Sequence, residues 1–346
     1  MAETPAAGNV GAVKLGRKDF QSDQEVRWCP GCGDYSVLTA VQLLLPELDV
    51  KPEETVFVSG IGCSSRFPYY MNTYGLHSIH GRAPAIATGV ALARPDLHVW
   101  VITGDGDGLS IGGNHLIHAL RRNVNLTIVL FNNQIYGLTK GQYSPTSEIG
   151  KVTKSSPFGT LDHPFNPVSL ALGAEASFVA RTHDMDRKHM TEVMRQAHNH
   201  KGAAFVELYQ NCNVFNDGAF DGVLAKEHRA EMLIELTHGE PVRFGANGER
   251  GVIIDERGCA QTVNVADVGE DRLVIHDAHS ADPSLAFALS RLAEQPTTPT
   301  PVGVFRSVER PSYGDEMARQ IFAAQERQGP GDLQKLIESS PVWEVS

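Results

Sequence analysis

At 346 residues the chain is long enough for one large domain or two small ones, and 41% apolar with 21% charged residues is the make-up of an ordinary water-soluble protein. A formal net charge of −11 argues against a general nucleic-acid binder. No apolar run reaches the roughly 18 residues that span a bilayer, and the opening MAETPAAGNVGAVKLG lacks the apolar stretch of a signal peptide; residues 1–20 are therefore expected to be a flexible lead on a cytoplasmic protein with no membrane insertion.

In chain order, residues 35–45 (YSVLTAVQLLL) read as a helix stopped by Pro46, and 55–59 (TVFVS) as a short buried strand. Residues 83–94, small and apolar, read as a tightly packed helix. Residues 97–103 (LHVWVIT) are a strand, 111–122 a helix and 126–131 (LTIVLF) a further strand. The alternation continues through 167–172, 177–181, 184–200 and 204–209. After about Gly218 the pattern weakens: 243–255 suggests one or two strands, 294–301 (EQPTTPTP) a linker. Strands separated by helical patterns imply an α/β fold, a mostly parallel sheet covered by helices on both faces. The expected division is a main ligand-binding unit over 21–218, a C-terminal part of the same domain over 219–300 and a docking tail over 301–346. Four segments, 60–68, 104–107, 132–142 and 210–213, each follow a predicted strand. In such a sheet they gather at its carboxyl edge, where ligands sit.

Asp105 stands between glycines in GDGDG, directly after a strand, and Asn133 follows 28 residues later in FNNQIYG, at the end of the next strand. One helix separates them, so a carboxylate and an amide oxygen come to neighbouring strand ends. Mg²⁺ takes oxygen ligands octahedrally and shares them with phosphates. Gly104, Gly106 and Gly108 would let backbone approach a diphosphate, and the next helix would favour its charge. A bare GDG is more often only a tight turn. GDG followed by NN across one βαβ unit, however, resembles the cofactor fingerprint of thiamine diphosphate enzymes. That resemblance implies Mg²⁺ ligation by Asp105, Asn133 and the Ile135 carbonyl. It also implies diphosphate contacts at Gly104, Gly106 and Asp107, and further cofactor contacts at Gly137 and Leu138.

The five cysteines are Cys29, Cys32, Cys63, Cys212 and Cys259. Disulfides are a poor explanation in a reducing compartment. The CPGCG element holding Cys29 and Cys32 has no strand before it, as a thioredoxin-like pair would need, and no second CxxC or His pair for zinc. Cys63 in GIGC and Cys212 in YQNCN each follow a strand. Four thiolates on three loops suit a [4Fe–4S] cluster; Cys259 reads as an ordinary thiol.

In order along residues 20–300 stand WCPGCG, GIGCSSRFPYY, HGRAPAIATG, GDGDGLSIGGNH and NNQIYGLTKGQYSPT. Together they closely resemble the β subunit of the 2-oxoacid:ferredoxin oxidoreductases, particularly the 2-oxoglutarate type. The resemblance implies that Cys29, Cys32, Cys63 and Cys212 bind the cluster. It also places Ile61, Gly62, Cys63, Ser64 and His80 around thiamine diphosphate. The implied reaction is oxidative decarboxylation of 2-oxoglutarate, with coenzyme A taking the acyl group and ferredoxin the electrons. Thiamine enzymes also need a glutamate on the aminopyrimidine ring, and no residue here declares itself for that role. In the family it comes from an α subunit, implying a site shared between subunits and an α₂β₂ assembly.

Arg66, three residues past Cys63, is suited to a substrate carboxylate, against a bland reading as a surface arginine. Lys140 in GLTKGQ is a second cation for a substrate carboxylate or a coenzyme A phosphate. With His80 these two complete the expected catalytic group. His115 and His118 share a helix face but read better as structural. Two alternatives stay open: the same chemistry on pyruvate, a branched-chain or an aryl 2-oxoacid, and a non-catalytic Rossmann-like module with structural zinc at CxxC.

Overall fold

The computed structural model describes residues 14–293, 298–341 and 343. Residues 1–13 of the expected lead and 294–297 of the expected linker lie outside the described residues. The central sheet has eight strands in the order β2-β1-β3-β4-β6-β5-β11-β7. They are β1 (Thr55–Ser59), β2 (Tyr74–His77), β3 (His98–Gly104), β4 (Leu126–Asn132), β5 (Phe178–His183), β6 (Ala203–Tyr209), β7 (Leu233–Leu236) and β11 (Thr300–Ser307). The six strands from β2 to β5 run parallel; β11 is antiparallel to β5, and β7 pairs parallel with β11. Helices cover both faces, as the sequence pattern predicts.

Side chains alternate across each strand, so one apolar run feeds two cores. Val56, Val58, Val101, Ile128, Leu130 and Phe205 meet α2 (Ala83–Ala93), α4 (Gly113–Arg121) and α5 (Pro167–Gly173) on one face. Phe57, Trp100, Ile102, Val129, Phe131 and Leu208 meet α1 (Asp34–Glu47) and α6 (Arg187–Asn199) on the other. Ala83, Ala87 and Ala91 form the buried stripe of α2. β1, β4, β5 and β6 are buried along their whole length; β1 and β4 read as largely apolar runs, while β5 and β6 also bury the paired Arg181 and Glu207.

Three local expectations change. Helix α1 passes through Pro46, its end closed by the Leu48 amide on the Leu44 carbonyl at 3.1 Å. The GDGDG stretch is itself a single helical turn, α3 (Asp105–Leu109). The chain from 301, read as a docking tail, opens with the buried strand β11, inserted between β5 and β7. Apolar PVGVF carries that strand into the core. The helices Tyr313–Gln328 and Leu333–Ile337 beyond it bury no residue. Residues 243–264 form a small antiparallel sheet of β8 (Arg243–Phe244), β9 (Arg250–Ile254) and β10 (Ala260–Asn264). Among the described residues no helix is long and apolar enough to cross a membrane.

Candidate active site

Strands β1, β3, β4 and β6 are consecutive parallel neighbours, so the loops after them converge at one edge. Gly104 pairs with Phe131, which sets Asp105 beside the Asn132–Asn133 pair.

Asp105 is 2% exposed. Its Oδ2 accepts the Ser144 hydroxyl at 2.5 Å and the Thr146 hydroxyl at 2.6 Å. Burial pushes its pKa up to about 6 despite those bonds. Thr146 Oγ1 also lies 2.9 Å from Asn132 Oδ1, so one hydroxyl, its single proton shared, sits between both strand ends. The Asn132 amide donates to Glu207 at 2.7 Å, and Glu207 is neutralised by Arg181 at 2.6 Å, with both side chains buried. Asn133 Oδ1 accepts the Ile135 amide at 3.2 Å, which bends the chain through Gln134 at φ 56°. Ser144 and Thr146 escaped the sequence reading although they lie inside the quoted GQYSPT. Hydroxyls in a loop carry no periodicity, and only the fold brings them back to Asp105.

Asp107 is held by the protein itself. It is 2% exposed, and both carboxylate oxygens are occupied by the protein. Oδ1 accepts the Ile61 amide (3.1 Å), the Gly81 amide (2.7 Å) and His80 Nδ1 (2.6 Å), while Oδ2 accepts the Thr103 hydroxyl (2.7 Å). Its side chain thus fixes three loops. Gly106 has a local reason too: a Cβ there would lie 2.2 Å from the Tyr136 ring, whose hydroxyl donates to the Gly106 carbonyl at 2.9 Å. Ser64 is buried near Gly104.

The cysteines gather next to this group. A Cβ on Gly137 would sit 3.4 Å from the Cys63 sulfur and 3.6 Å from that of Cys212, so the bare glycine leaves the space between them open. Trp28 Nε1 donates to the Cys63 carbonyl at 2.7 Å, and Asn213 donates to the Pro30 carbonyl at 2.6 Å. These bonds tie the CPGCG turn to both other cysteine loops. Burial, with Asp34 alongside, raises the Cys32 thiol pKa and pushes that of Cys63 up to about 12. Gln210, also missed, joins the two halves: its Oε1 accepts the Asn133 amide at 2.8 Å, and its Nε2 donates to Cys32 Sγ at 3.3 Å. Among the described residues no three His, Cys, Asp or Glu side chains converge as ligands of one ion. Cys259 is exposed at the β9–β10 turn, its amide on Asp255.

Arg66, with Ile61, Gly62, His77 and Leu138, lines a cavity of about 510 Å³. Its guanidinium donates to the Arg27 carbonyl at 3.2 Å. Lys140 is exposed, in a left-handed conformation with φ 73°, and lies outside that lining. His115 and His118 stand on α4, apart from these loops.

A family profile described as "Thiamine pyrophosphate enzyme, C-terminal TPP binding domain" matches residues 60–208, the stretch that runs from the end of β1 into β6. Fold and site thus define a thiamine pyrophosphate enzyme. The chain is 62% identical over 330 residues to "2-oxoglutarate oxidoreductase subunit KorB" of Mycobacterium tuberculosis, covering 95% of this chain and 88% of that one. It is 43% identical over 188 residues to "2-oxoglutarate synthase subunit KorB" of Methanocaldococcus jannaschii, covering 54% and 70%. A solved structure of 2-oxoglutarate:ferredoxin oxidoreductase from Magnetococcus marinus, with 2-oxoglutarate, coenzyme A and succinyl-CoA bound, matches with a TM-score of 0.74 and 33% identity over 95% of this chain and 97% of that chain. The chain belongs to the family of 2-oxoglutarate:ferredoxin oxidoreductase β subunits.

Proposed function

We propose that this chain, with an α subunit, converts 2-oxoglutarate and coenzyme A to succinyl-CoA and CO₂. Each turnover releases two electrons and one proton, and two molecules of a one-electron acceptor, ferredoxin, are reduced. Thiamine diphosphate, when bound, supplies the electron sink for loss of CO₂. Asp105, Asn133 and the Ile135 carbonyl would hold Mg²⁺, and Cys29, Cys32, Cys63 and Cys212 a [4Fe–4S] cluster. The donor sets suit these groups: oxygen ligands for the hard cation, four thiols on three loops for the cluster. Tetrahedral zinc needs its ligands gathered on one ion, and the cysteines are not so gathered.

The observation that carries the reading is the direct bonding between the two half-sites. Gln210 touches Asn133 and Cys32 at once, and Asp107 fixes Ile61 two residues before Cys63. An electron acceptor is thereby held beside the cofactor. His80, anchored through Nδ1 on Asp107, presents Nε2 for proton exchange, and Arg66 pairs with a substrate carboxylate. Lys140, exposed, meets the substrate's second carboxylate or a phosphate of coenzyme A. The α subunit contributes the activating glutamate in an α₂β₂ assembly, and the reduced thiols suit the cytoplasm. The test is the αβ complex purified without oxygen and assayed with a panel of 2-oxoacids and coenzyme A. The expected result is coenzyme-A-dependent acceptor reduction, fastest with 2-oxoglutarate, and about four irons and four sulfides per β chain. Zinc without sulfide, or preference for pyruvate, refutes the corresponding part.

A further inference from the structure

Two carboxamides and a thiol form a directed chain between the two half-sites. Gln210 follows directly after β6, and its backbone amide donates to the Asn132 carbonyl at 2.9 Å, which extends the β4–β6 pairing to the strand ends. Its side chain therefore leaves the sheet beside that of Asn133. Asn133 Oδ1 accepts the Ile135 amide at 3.2 Å, and its amino group is turned to Gln210, whose Oε1 accepts it at 2.8 Å. The Gln210 amino group then donates to Cys32 Sγ at 3.3 Å. Resting on the metal and cluster sites proposed above, we infer that Gln210 is a positioning residue that raises the reduction potential of the cluster and couples it to occupancy of the Mg²⁺ site.

The orientation of the Gln210 amide is fixed from both ends. The residue is 1% exposed. Oε1 holds Asn133, while the amino group serves Cys32 and the Asn211 carbonyl. Reversing the amide would set its oxygen against that carbonyl and its N–H against the Asn133 donor, leaving buried groups unpaired. The turn that carries Cys32 is seated on the same residues: the Gly33 amide donates to the Asn211 carbonyl at 3.2 Å, and a Cβ on Gly33 would lie 3.1 Å from Gln210 Cγ. A hydrogen bond on a ligand sulfur stabilises the extra negative charge of a reduced cluster and so raises its potential. Both side-chain donors in the chain point the same way, from Asn133 toward Cys32. A cation on Asn133 Oδ1 draws electron density from that amide and makes its N–H a stronger donor to Gln210. The polarisation passes along the chain to the sulfur. Filling the metal site thus makes the cluster easier to reduce, and by linkage reduction of the cluster tightens the metal site. The route through Asp107 ends on the Ile61 backbone amide, whereas the Gln210 chain ends on a ligand sulfur itself.

The test uses the αβ complex purified without oxygen. The midpoint potential of the cluster is read by electron paramagnetic resonance in a mediated titration, once in chelator and once with Mg²⁺ and thiamine diphosphate, with no substrate present. Wild type is expected to show the higher potential when the metal site is filled. Q210M, similar in length but without donor or acceptor, is expected to disfavour reduction in chelator about tenfold, a fall of about 59 mV for one electron, and to lose the rise on filling. Where Q210M does not retain the cluster, Q210E, which keeps an acceptor for Asn133 and lacks the N–H, is expected to lose the rise likewise. N213A frees the CPGCG turn from the bond on the Pro30 carbonyl without touching a sulfur, and is expected to keep the rise. Equal potentials in the two states of wild type, a rise in the Gln210 variants as large as that of wild type, or its equal loss in N213A overturns the proposal. Iron and sulfide are counted in the same samples. Wild type without sulfide refutes the cluster reading and the coupling with it. A full complement of iron and sulfide with a potential insensitive to filling leaves that reading standing and removes the coupling alone.

Discussion

Replacing Asp105 by asparagine is expected to stabilise the ligand-free protein. The carboxylate is buried, and its pKa rises from 3.8 to about 6 because desolvation outweighs the two hydroxyl bonds. A gap of about 2 pKa units corresponds to about 3 kcal/mol. A carboxyl with a raised folded-state pKa holds its proton more tightly when folded. Below pH 4 the penalty is absent, near pH 5 about half has accrued, and above pH 6 it is complete. Asparagine at 105 carries no charge, and Ser144 and Thr146 can still donate to its amide oxygen. Thermal unfolding in chelator should therefore show Asp105→Asn melting higher than wild type at pH 8, by roughly 5 °C, with the difference shrinking toward pH 5. Adding Mg²⁺ and thiamine diphosphate should invert the order. Wild type gains about 4.1 kcal/mol at a ligand concentration 1,000-fold above Kd, more than the deficit of about 3 kcal/mol with which it starts, and the variant, lacking the charge that holds the metal, gains little. A variant that melts at or below wild type in chelator at pH 8, with no pH dependence in the difference, would refute the claim that this carboxylate is held ready at a folding cost.

Asp107→Ala strips the acceptor from four donors at once; at about 1–3 kcal/mol for each buried group left unpaired, urea unfolding should show a loss of at least about 3 kcal/mol, and a neutral result would show that water replaces the carboxylate. Cys212→Ser should abolish visible absorption and bound iron in the anaerobic complex, whereas Cys259→Ser, at an exposed turn, should leave both unchanged; equal losses would make Cys259 a ligand. Arg66→Ala should raise KM for 2-oxoglutarate at least about tenfold, the scale of a charge-assisted carboxylate bond, with coenzyme A kinetics unaffected; an unchanged KM would assign Arg66 to the Arg27 carbonyl alone.

The strands legible in the sequence are those buried on both faces. TVFVS, LHVWVIT and LTIVLF are apolar through their middles, and their observed bounds agree with the reading to within a residue. Strand β2 was illegible for the opposite reason. YGLH is an edge strand exposed at every position, held by backbone pairing with β1 that leaves no apolar signature. PVGVF of β11 was visible but sits behind a linker-like stretch, and pairing with β5, more than a hundred residues earlier, cannot be inferred from local pattern. Pro46 falls in the last turn of α1, where it removes one amide donor but interrupts only the end of the helix, so the turns before it stand.

At the site, spacing gave the meeting of Asp105 with the Asn132–Asn133 pair, since a βαβ unit delivers both to neighbouring strand ends. What spacing could not give is the division of labour between the two aspartates of GDGDG. They are two residues apart on one helical turn, so they must point in different directions. Asp105 reaches Ser144 and Thr146; Asp107 turns back to the Ile61 amide, His80 and the Gly81 amide. The glycines belong to the same logic. Gly106 is bare because Tyr136 lies across it, and Gly81, at φ 71°, brings its own amide onto Asp107. Asp107 therefore couples the 60–63 loop, which leads to Cys63, to the turn that carries Asp105. A substitution at Asp107 should disturb metal binding and the cluster loop together, whereas one at Asp105 should disturb the metal alone. That asymmetry follows from the hydrogen bonds, and no count of residues between motifs contains it.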